Sequence, residues 1–251
     1  MNAQALKAQG RKGPVSIPLF RRSKRKDLVE VPDRSDILAL CALLLGYPDD
    51  EFDFLRDDIS KAIDGLSPSK PAKLLAQFWD QFSGQSRSDA RRHYVATFDM
   101  RRQCSLFLTY YLHGDTRQRG MSLLMFKQRY RAYGFNPPEN ELPDYLPMVL
   151  EFAANTGPGV GEGLLRMHRN GLEAIHDALK ARDTMYLLVF DAISEVLGPV
   201  TAKQRAEIDE LVLAGPPQET IGLESSLTPY GMSGPDAPFG PPEFTCNTKG
   251  H

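Results

Sequence analysis

Apolar residues recur along this chain at helical spacing, and no stretch alternates convincingly with period two. After Ser35, a residue suited to an N-cap, Ile37, Leu40, Cys41, Leu44 and Leu45 fall at i, i+3, i+4, i+7 and i+8. That is one face of a helix, which Gly46-Tyr47-Pro48 ends. Phe52, Leu55, Ile59 and Ile63 continue the spacing up to Gly65 and Pro68, and Leu74, Leu75, Phe78, Trp79 and Phe82 predict another helix that stops at Gly84. Further helices are predicted from about Ser88 to Phe98 and from about Gln103 to Leu112. Another carries Leu123, Phe126, Tyr130 and Tyr133 and ends at Gly134 as C′ residue. Leu146 to Ala154 restarts a helix after Pro143 and Pro147. After the loop Gly157–Gly163, Leu164, His168, Leu172, Ile175 and Leu179 predict one long helix. Tyr186 to Leu197 predicts another, closed by Gly198-Pro199, and a short polar helix is expected near Lys203–Val212. The expected fold is all-α, a single bundle-like domain of about eight to ten helices, with consecutive helices as antiparallel neighbours across short loops.

The ends of the chain break the pattern. Residues 1–33 carry eight Lys/Arg and no acid before Asp27, and residues 215–251 are dense in Pro and Gly. Neither buries enough apolar surface to offset its ordering entropy, so the expected organisation is a basic tail over 1–33, an all-α domain over 34–214 and a Pro/Gly-rich tail over 215–251. The basic segment reads as a solvated tail or as one that docks on an acidic partner or a membrane surface. With 251 residues, 41% of them hydrophobic, the chain can build a real core.

Composition excludes some classes of function. A net charge of −2 argues against a whole-protein electrostatic grip on nucleic acid. The longest apolar run, the nine residues Ile37–Leu45, falls far short of the roughly 20 residues that span a bilayer, so no stable membrane insertion is expected. The basic N-terminus lacks the apolar region of a secretory signal, and Arg21-Arg22 is not followed by an apolar segment. Three widely spaced cysteines, Cys41, Cys104 and Cys246, form no CxxC pair and suit a reducing compartment. A cytoplasmic location is the expectation.

Catalytic constellations are not recognisable. The glycines of 157–163 match G-x-G-x-x-G in no register and precede no GK[ST], so they read as an interhelix loop. Cys246 and His251 supply two ligands, too few for a metal site, and His168 and His176 read as hydrogen-bonded boundary residues of a helix. Cys104 reads as a small buried hydrophobe. No catalytic residue, metal or cofactor is assigned, although a site assembled only in space stays open as an alternative.

The stretch from Tyr94 to Phe152 stands apart. Most of the nine tyrosines lie between 94 and 145, and a tyrosine joins an apolar face to a polar tip, as a peptide-binding groove requires. Charges punctuate the same region. Taken singly they also fit helix caps and surface ion pairs.

The pattern Tyr94-Val95…Phe98-Asp99…Arg102…Ser105-Leu106…Leu108-Thr109…Gly114-Asp115…Arg117…Arg119-Gly120…Leu123-Leu124…Tyr130…Gly134…Glu141-Leu142-Pro143-Asp144-Tyr145-Leu146-Pro147…Leu150-Glu151-Phe152 resembles the delta-subunit, or NarJ, type of respiratory nitrate reductase chaperone. That type is similar to the wider family of redox-enzyme maturation proteins. Where the wider family's acidic motif is roughly E-P-x-D-H, this chain shifts the proline and places Tyr145 where the histidine would be.

The resemblance implies an all-α fold and no enzymatic activity. It implies binding to the N-terminal segment of the apo nitrate reductase catalytic (alpha) subunit until molybdenum cofactor is inserted and the complex docks on its membrane subunit. A different molybdoenzyme client and a small all-α enzyme remain the alternatives. Candidate client-binding residues are Tyr94, Phe98, Asp99, Arg102, Tyr110, Asp115, Arg117, Glu141, Asp144, Tyr145 and Glu151. Among them, Asp144 is expected to meet basic client residues, so that reversing its charge weakens binding without unfolding the protein.

Overall fold

Helices form where the apolar spacing places them, and their ends follow local backbone chemistry. The computed structural model describes residues 30–114, 117–138, 140–200, 205, 206 and 209. The Pro/Gly-rich stretch 215–251, nearly all of the basic segment and most of the polar helix expected near 203–212 lie outside the described residues. Within them, eleven α-helices run in order: α1 Arg34–Leu44, α2 Asp50–Phe54, α3 Arg56–Asp64, α4 Lys70–Ser83, α5 Arg87–Tyr94, α6 Leu108–His113, α7 Arg117–Ala132, α8 Leu146–Thr156, α9 Gly161–Met167, α10 Arg169–Lys180 and α11 Tyr186–Leu197. A π-helical turn, Val95–Asp99, and a 3-10 turn, Arg102–Cys104, join α5 to α6. Among the described residues there is no strand, only one isolated antiparallel bridge between Phe107 and Tyr145. The fold is all-α, and no described helix is long and apolar enough to cross a membrane.

Several ends differ from expectation. α1 begins two residues earlier, with Asp33 rather than Ser35 at its N-cap, in the left-handed region at φ 51°. The Asp33 carboxylate makes no cap; it accepts a 2.6 Å bond from Ser67 N–H and so ties α1 to the loop after α3. The 52–63 spacing belongs to two helices, because Leu55 closes α2 and opens α3. The long helix expected over 164–179 breaks at His168, whose φ of −107° and ψ of 24° end α9 and begin α10. The expected C′ role of Gly134 holds. It sits at φ 70°, and Phe135 N–H reaches back to Tyr130 C=O at 3.0 Å, as in a Schellman closure.

Packing also departs from the neighbour rule. α1 lies chiefly on α8 and α4 on α11, helices far apart in sequence; α9 packs on α8 and α10 on α6. One end of the core is an aromatic cluster of Phe78, Phe82, Tyr94, Phe98 and Tyr186, with Phe98 and Tyr186 ring centres 4.8 Å apart. A second cluster gathers Phe126, Tyr130, Phe135 and Phe152, with Tyr130 and Phe152 4.8 Å apart. Two buried polar ties cross the bundle. Glu162, fully buried on α9, receives Arg34 of α1 at 2.9 Å and Arg166 at 2.7 Å, and Arg34 also donates to Val196 C=O of α11. Gly161 lets α9 approach α8 closely, since a Cβ there would lie 2.2 Å from Ala153 Cα.

Candidate functional site

The candidate site forms where the irregular link between α5 and α6 meets the turn before α8. At α5's end the backbone widens to π geometry, with Met100 N–H bonding Val95 C=O at 3.0 Å. The widened turn puts Phe98 against the core and Asp99 in solvent. Across from it, the bridge between Phe107 and Tyr145 uses Leu146 N–H to Leu106 C=O at 2.7 Å and Leu108 N–H to Asp144 C=O at 3.1 Å. Pro143 and Pro147 stiffen this turn, and Tyr130 Oη–H holds Pro143 C=O at 2.6 Å from below.

Asp144 is the turn's internal anchor. It is fully buried, and its Oδ2 accepts from Thr109 N–H at 3.1 Å and Thr109 Oγ1–H at 2.6 Å. Arg119 donates from Nε to Thr109 Oγ1 at 3.3 Å and brings Nη2 within 3.9 Å of the same carboxylate oxygen. The expectation that Asp144 meets a client's basic residues is therefore corrected: in this structure the carboxylate points into the protein and locks α6, α7 and the turn before α8 together. Charge reversal there would bury an unpaired ammonium and disrupt the fold rather than spare it.

Two adjoining grooves meet at the turn before α8. One, about 780 Å³, is lined by Tyr94, Phe98, Asp99, Arg102, Tyr110, Glu141 and Tyr145 among others, and so gathers seven of the eleven sequence candidates. Tyr94 and Phe98 are buried in its floor; Asp99, Arg102 and Glu141 are exposed at its edge. The second, about 760 Å³, runs between α1, α2 and the 135–148 segment, and Glu151 stands on its wall. Tyr47, Glu141 and Tyr145 line both and form the ridge between them. Tyr47 packs edge-on against Tyr94, ring centres 5.5 Å apart. The Tyr94 and Tyr145 hydroxyls are 3.1 Å apart, and Tyr94 Oη also donates to Leu45 C=O at 3.1 Å. Burial, followed by the neighbouring Tyr145, raises the Tyr94 phenol far above its ordinary value, so this pair stays neutral.

Arg117 is exposed at the start of α7 and lines neither groove, and Asp115 lies outside the described residues. Sequence reasoning left Tyr47 out of the client-binding candidates, although it stands in the helix stop after α1 and in the Leu43-Leu44…Tyr47-Pro48 segment that extends the family resemblance. It also left out Arg101, Phe107 and Arg119, which line the first groove, with the Arg119 guanidinium 5.9 Å above the Phe107 ring. Phe107 and Arg119 lay within the distinctive stretch. What exposed them was the backbone bridge at Phe107, which no side-chain periodicity signals.

The electrostatics of the two grooves differ. Arg101, Arg102 and Arg119 stand with Asp99 and Glu141 around the first. The second is lined by Asp49, Glu51, Glu141 and Glu151 and, among the described residues, by no lysine or arginine. No group of three or more metal-ligating side chains occurs among the described residues. His168 Nδ1–H donates to Leu164 C=O at 2.9 Å and His176 lies 2.7 Å from Asp191, so both rings are hydrogen-bonded as expected, but only His176 stands at the boundary, His168 being buried. Cys104 is buried, and its thiol is pushed up by that burial.

An all-α body carrying two adjoining aromatic grooves with charged rims has the form that peptide-recognition grooves take. A profile of the nitrate reductase delta subunit family matches residues 67–191, and the chain belongs to that family. The nitrate reductase-like protein NarX of Mycobacterium tuberculosis is 38% identical over 154 residues, which cover 61% of this chain and 23% of NarX. The chain thus spans about a quarter of that relative's length. The probable nitrate reductase molybdenum cofactor assembly chaperone NarJ of Bacillus subtilis is 29% identical over 175 residues, covering 70% of this chain and 95% of that protein. The nitrate reductase molybdenum cofactor assembly chaperone NarJ of Escherichia coli K12 is 28% identical over 158 residues, 62% of this chain and 67% of that one. A crystal structure of a redox enzyme maturation protein from Archaeoglobus fulgidus shares the fold, with a TM-score of 0.51 at 20% identity over 69% of this chain and 99% of that one.

Proposed function

We propose that this chain is an assembly chaperone that holds the N-terminal segment of the apo nitrate reductase catalytic subunit, so that molybdenum cofactor can be inserted before the complex docks at the membrane. It performs no chemistry of its own. Family membership and the names of the NarJ relatives support the chaperone role. The observation that carries the binding mode is the pair of grooves joined at Tyr47, Glu141 and Tyr145, into which most of the candidate residues converge.

Recognition is helix-in-groove. The apolar side of the client segment lies over Tyr94, Phe98, Tyr110 and Tyr145, and its basic residues meet Asp99, Glu141 and Glu151 at the rim. The proline-braced turn presents Tyr145 and Glu141 already ordered, which lowers the entropy lost on docking. Burying about 600 Å² of apolar surface at about 25 cal/mol/Å² yields a gross gain of about 15 kcal/mol. Ordering the segment and losing free translation consume about half, leaving a Kd of about 1 μM, weak enough for release.

Titration calorimetry with a synthetic peptide of the catalytic subunit's first twenty or so residues is the test. Micromolar binding is expected, weakened about fivefold to tenfold by Glu141→Lys with the urea midpoint unchanged. Absence of binding, or a Glu141→Lys affinity equal to that of the unsubstituted chain, would sink this reading.

A further inference from the structure

The second groove has a chemistry of its own. Its floor is apolar, from Ala42, Leu43, Phe52, Phe135 and Met148, and its walls carry Asp49, Glu51, Glu141 and Glu151. Among the described residues, Glu51, Glu141 and Glu151 form no ion pair, so their charge faces outward into the groove and solvent. The acidic character continues toward the start of α1, where a shallower cleft holds Asp33 and Asp36 and shares Ala39 and Leu43 with the groove. A ligand that fits is a short segment with a few apolar side chains beside several positive charges.

The chain itself contains such a segment. Val15, Ile17, Leu19 and Phe20 are followed at once by Arg21, Arg22, Lys24, Arg25 and Lys26, the densest basic run in the sequence. It lies outside the described residues but joins them at Glu30, four residues before α1. Residues 21–29 span up to about 30 Å when extended, and α1 is about 16 Å long, so the run can turn back along α1 to the half that carries Ala42 and Leu43.

We propose that residues 15–26 dock in this acidic groove within the same molecule and compete with the client, so that an incoming segment must displace the chaperone's own. This rests on the client-binding reading above, because the two grooves share the Tyr47–Glu141–Tyr145 ridge. Tethering makes a weak contact sufficient. An intrinsic Kd of about 0.1–0.2 mM against an effective concentration on the order of 1 mM lowers client affinity about fivefold to tenfold. The device selects for a client that grips both grooves.

Two measurements on the full-length chain test it. With Phe20→p-benzoylphenylalanine, irradiation is expected to cross-link position 20 to residues within 39–55 or 135–151 of the same chain. The yield should be constant over a hundredfold dilution and suppressed by excess client peptide. Cross-links only between copies, or none to these segments, overturn the proposal. In calorimetry, replacing Arg21, Arg22, Lys24, Arg25 and Lys26 by serine should tighten peptide binding about fivefold to tenfold at low salt. Leu19→Ser with Phe20→Ser, which keeps every charge, should tighten it about threefold, a gain that simple repulsion between two basic segments does not give. Unchanged affinity in both variants overturns the proposal. A peptide that binds no form of the chain defeats the client reading instead, and the intramolecular cross-link then still decides whether the segment occupies the groove.

Discussion

Two residues, Leu142 and Pro143, separate Glu141 from Asp144, and the turn between them sends one carboxylate into solvent and the other into the core. The difference is backbone direction. Pro143 is held from below by Tyr130, and the bridge at Tyr145 fixes the next residues, so Asp144 has nowhere to point but toward Thr109. Removing it leaves the Thr109 N–H and hydroxyl without their acceptor in a buried site. Asp144→Ala is therefore expected to destabilise the protein by about 2–4 kcal/mol, read as a lowered urea midpoint, while Thr109→Val, which removes only the hydroxyl partner, costs less. An Asp144→Ala variant as stable as the unsubstituted protein would refute the anchor role.

At the scale of elements, the close contact of α8 and α9 is the most sensitive joint. Gly161 faces backbone atoms of Ala153, at 2.2 Å to Cα and 2.7 Å to N for an added Cβ, and backbone cannot swing aside as a side chain can. Gly161→Ala is expected to force the helices apart, at about 2–3 kcal/mol, with a lower thermal midpoint. Gly163, two residues on, has open space around its Cα, so Gly163→Ala serves as the control and should leave the midpoint unchanged or raise it.

Helices were legible from sequence wherever a full apolar face was present: the stripes in α1, α4 and α11 stand where the spacing puts them, whereas of the α7 stripe only Phe126 and Tyr130 are buried and Tyr133 lies exposed beyond the helix end. Periodicity failed where one apolar stripe runs through a break, as at Leu55 and His168, because the same face of two successive short helices can contact one core. It failed again between Tyr94 and Leu108, where the path is set by a π turn, a 3-10 turn and a two-residue bridge rather than by burial of a face. Seven candidate residues nevertheless converge on one groove, since aromatic and charged residues concentrated in one stretch end up together when that stretch wraps a single corner of the fold. Asp144 was misread because a charged residue in a Pro-braced turn gives no sign in sequence of which way it faces.

For the molecule as a whole, two histidines couple stability to pH. Burial lowers the pKa of His168, which packs 4.9 Å from Phe126, and burial likewise lowers that of the partly buried His93, 2.9 Å from Thr184. Near pH 6 the unfolded chain, whose histidines titrate around 6.5, binds more protons than the native one. Stability from these groups is thus present above about pH 6.5 and declines as pH falls from there toward their lower native values. The urea midpoint is expected to drop between pH 7.5 and 5.5, and His168→Gln to flatten that dependence even where it lowers the midpoint overall. A slope untouched by the substitution would place the coupling elsewhere.

The ridge shared by the two grooves has a consequence for how any occupant is measured. Tyr47, Glu141 and Tyr145 cannot adjust to a ligand in one groove without reshaping the other, because each side chain is a wall of both. The grooves therefore behave as one thermodynamic site. Affinities of half-length fragments will not sum to that of the intact segment, and alanine scans across the ridge will yield energies that depend on which half is already filled.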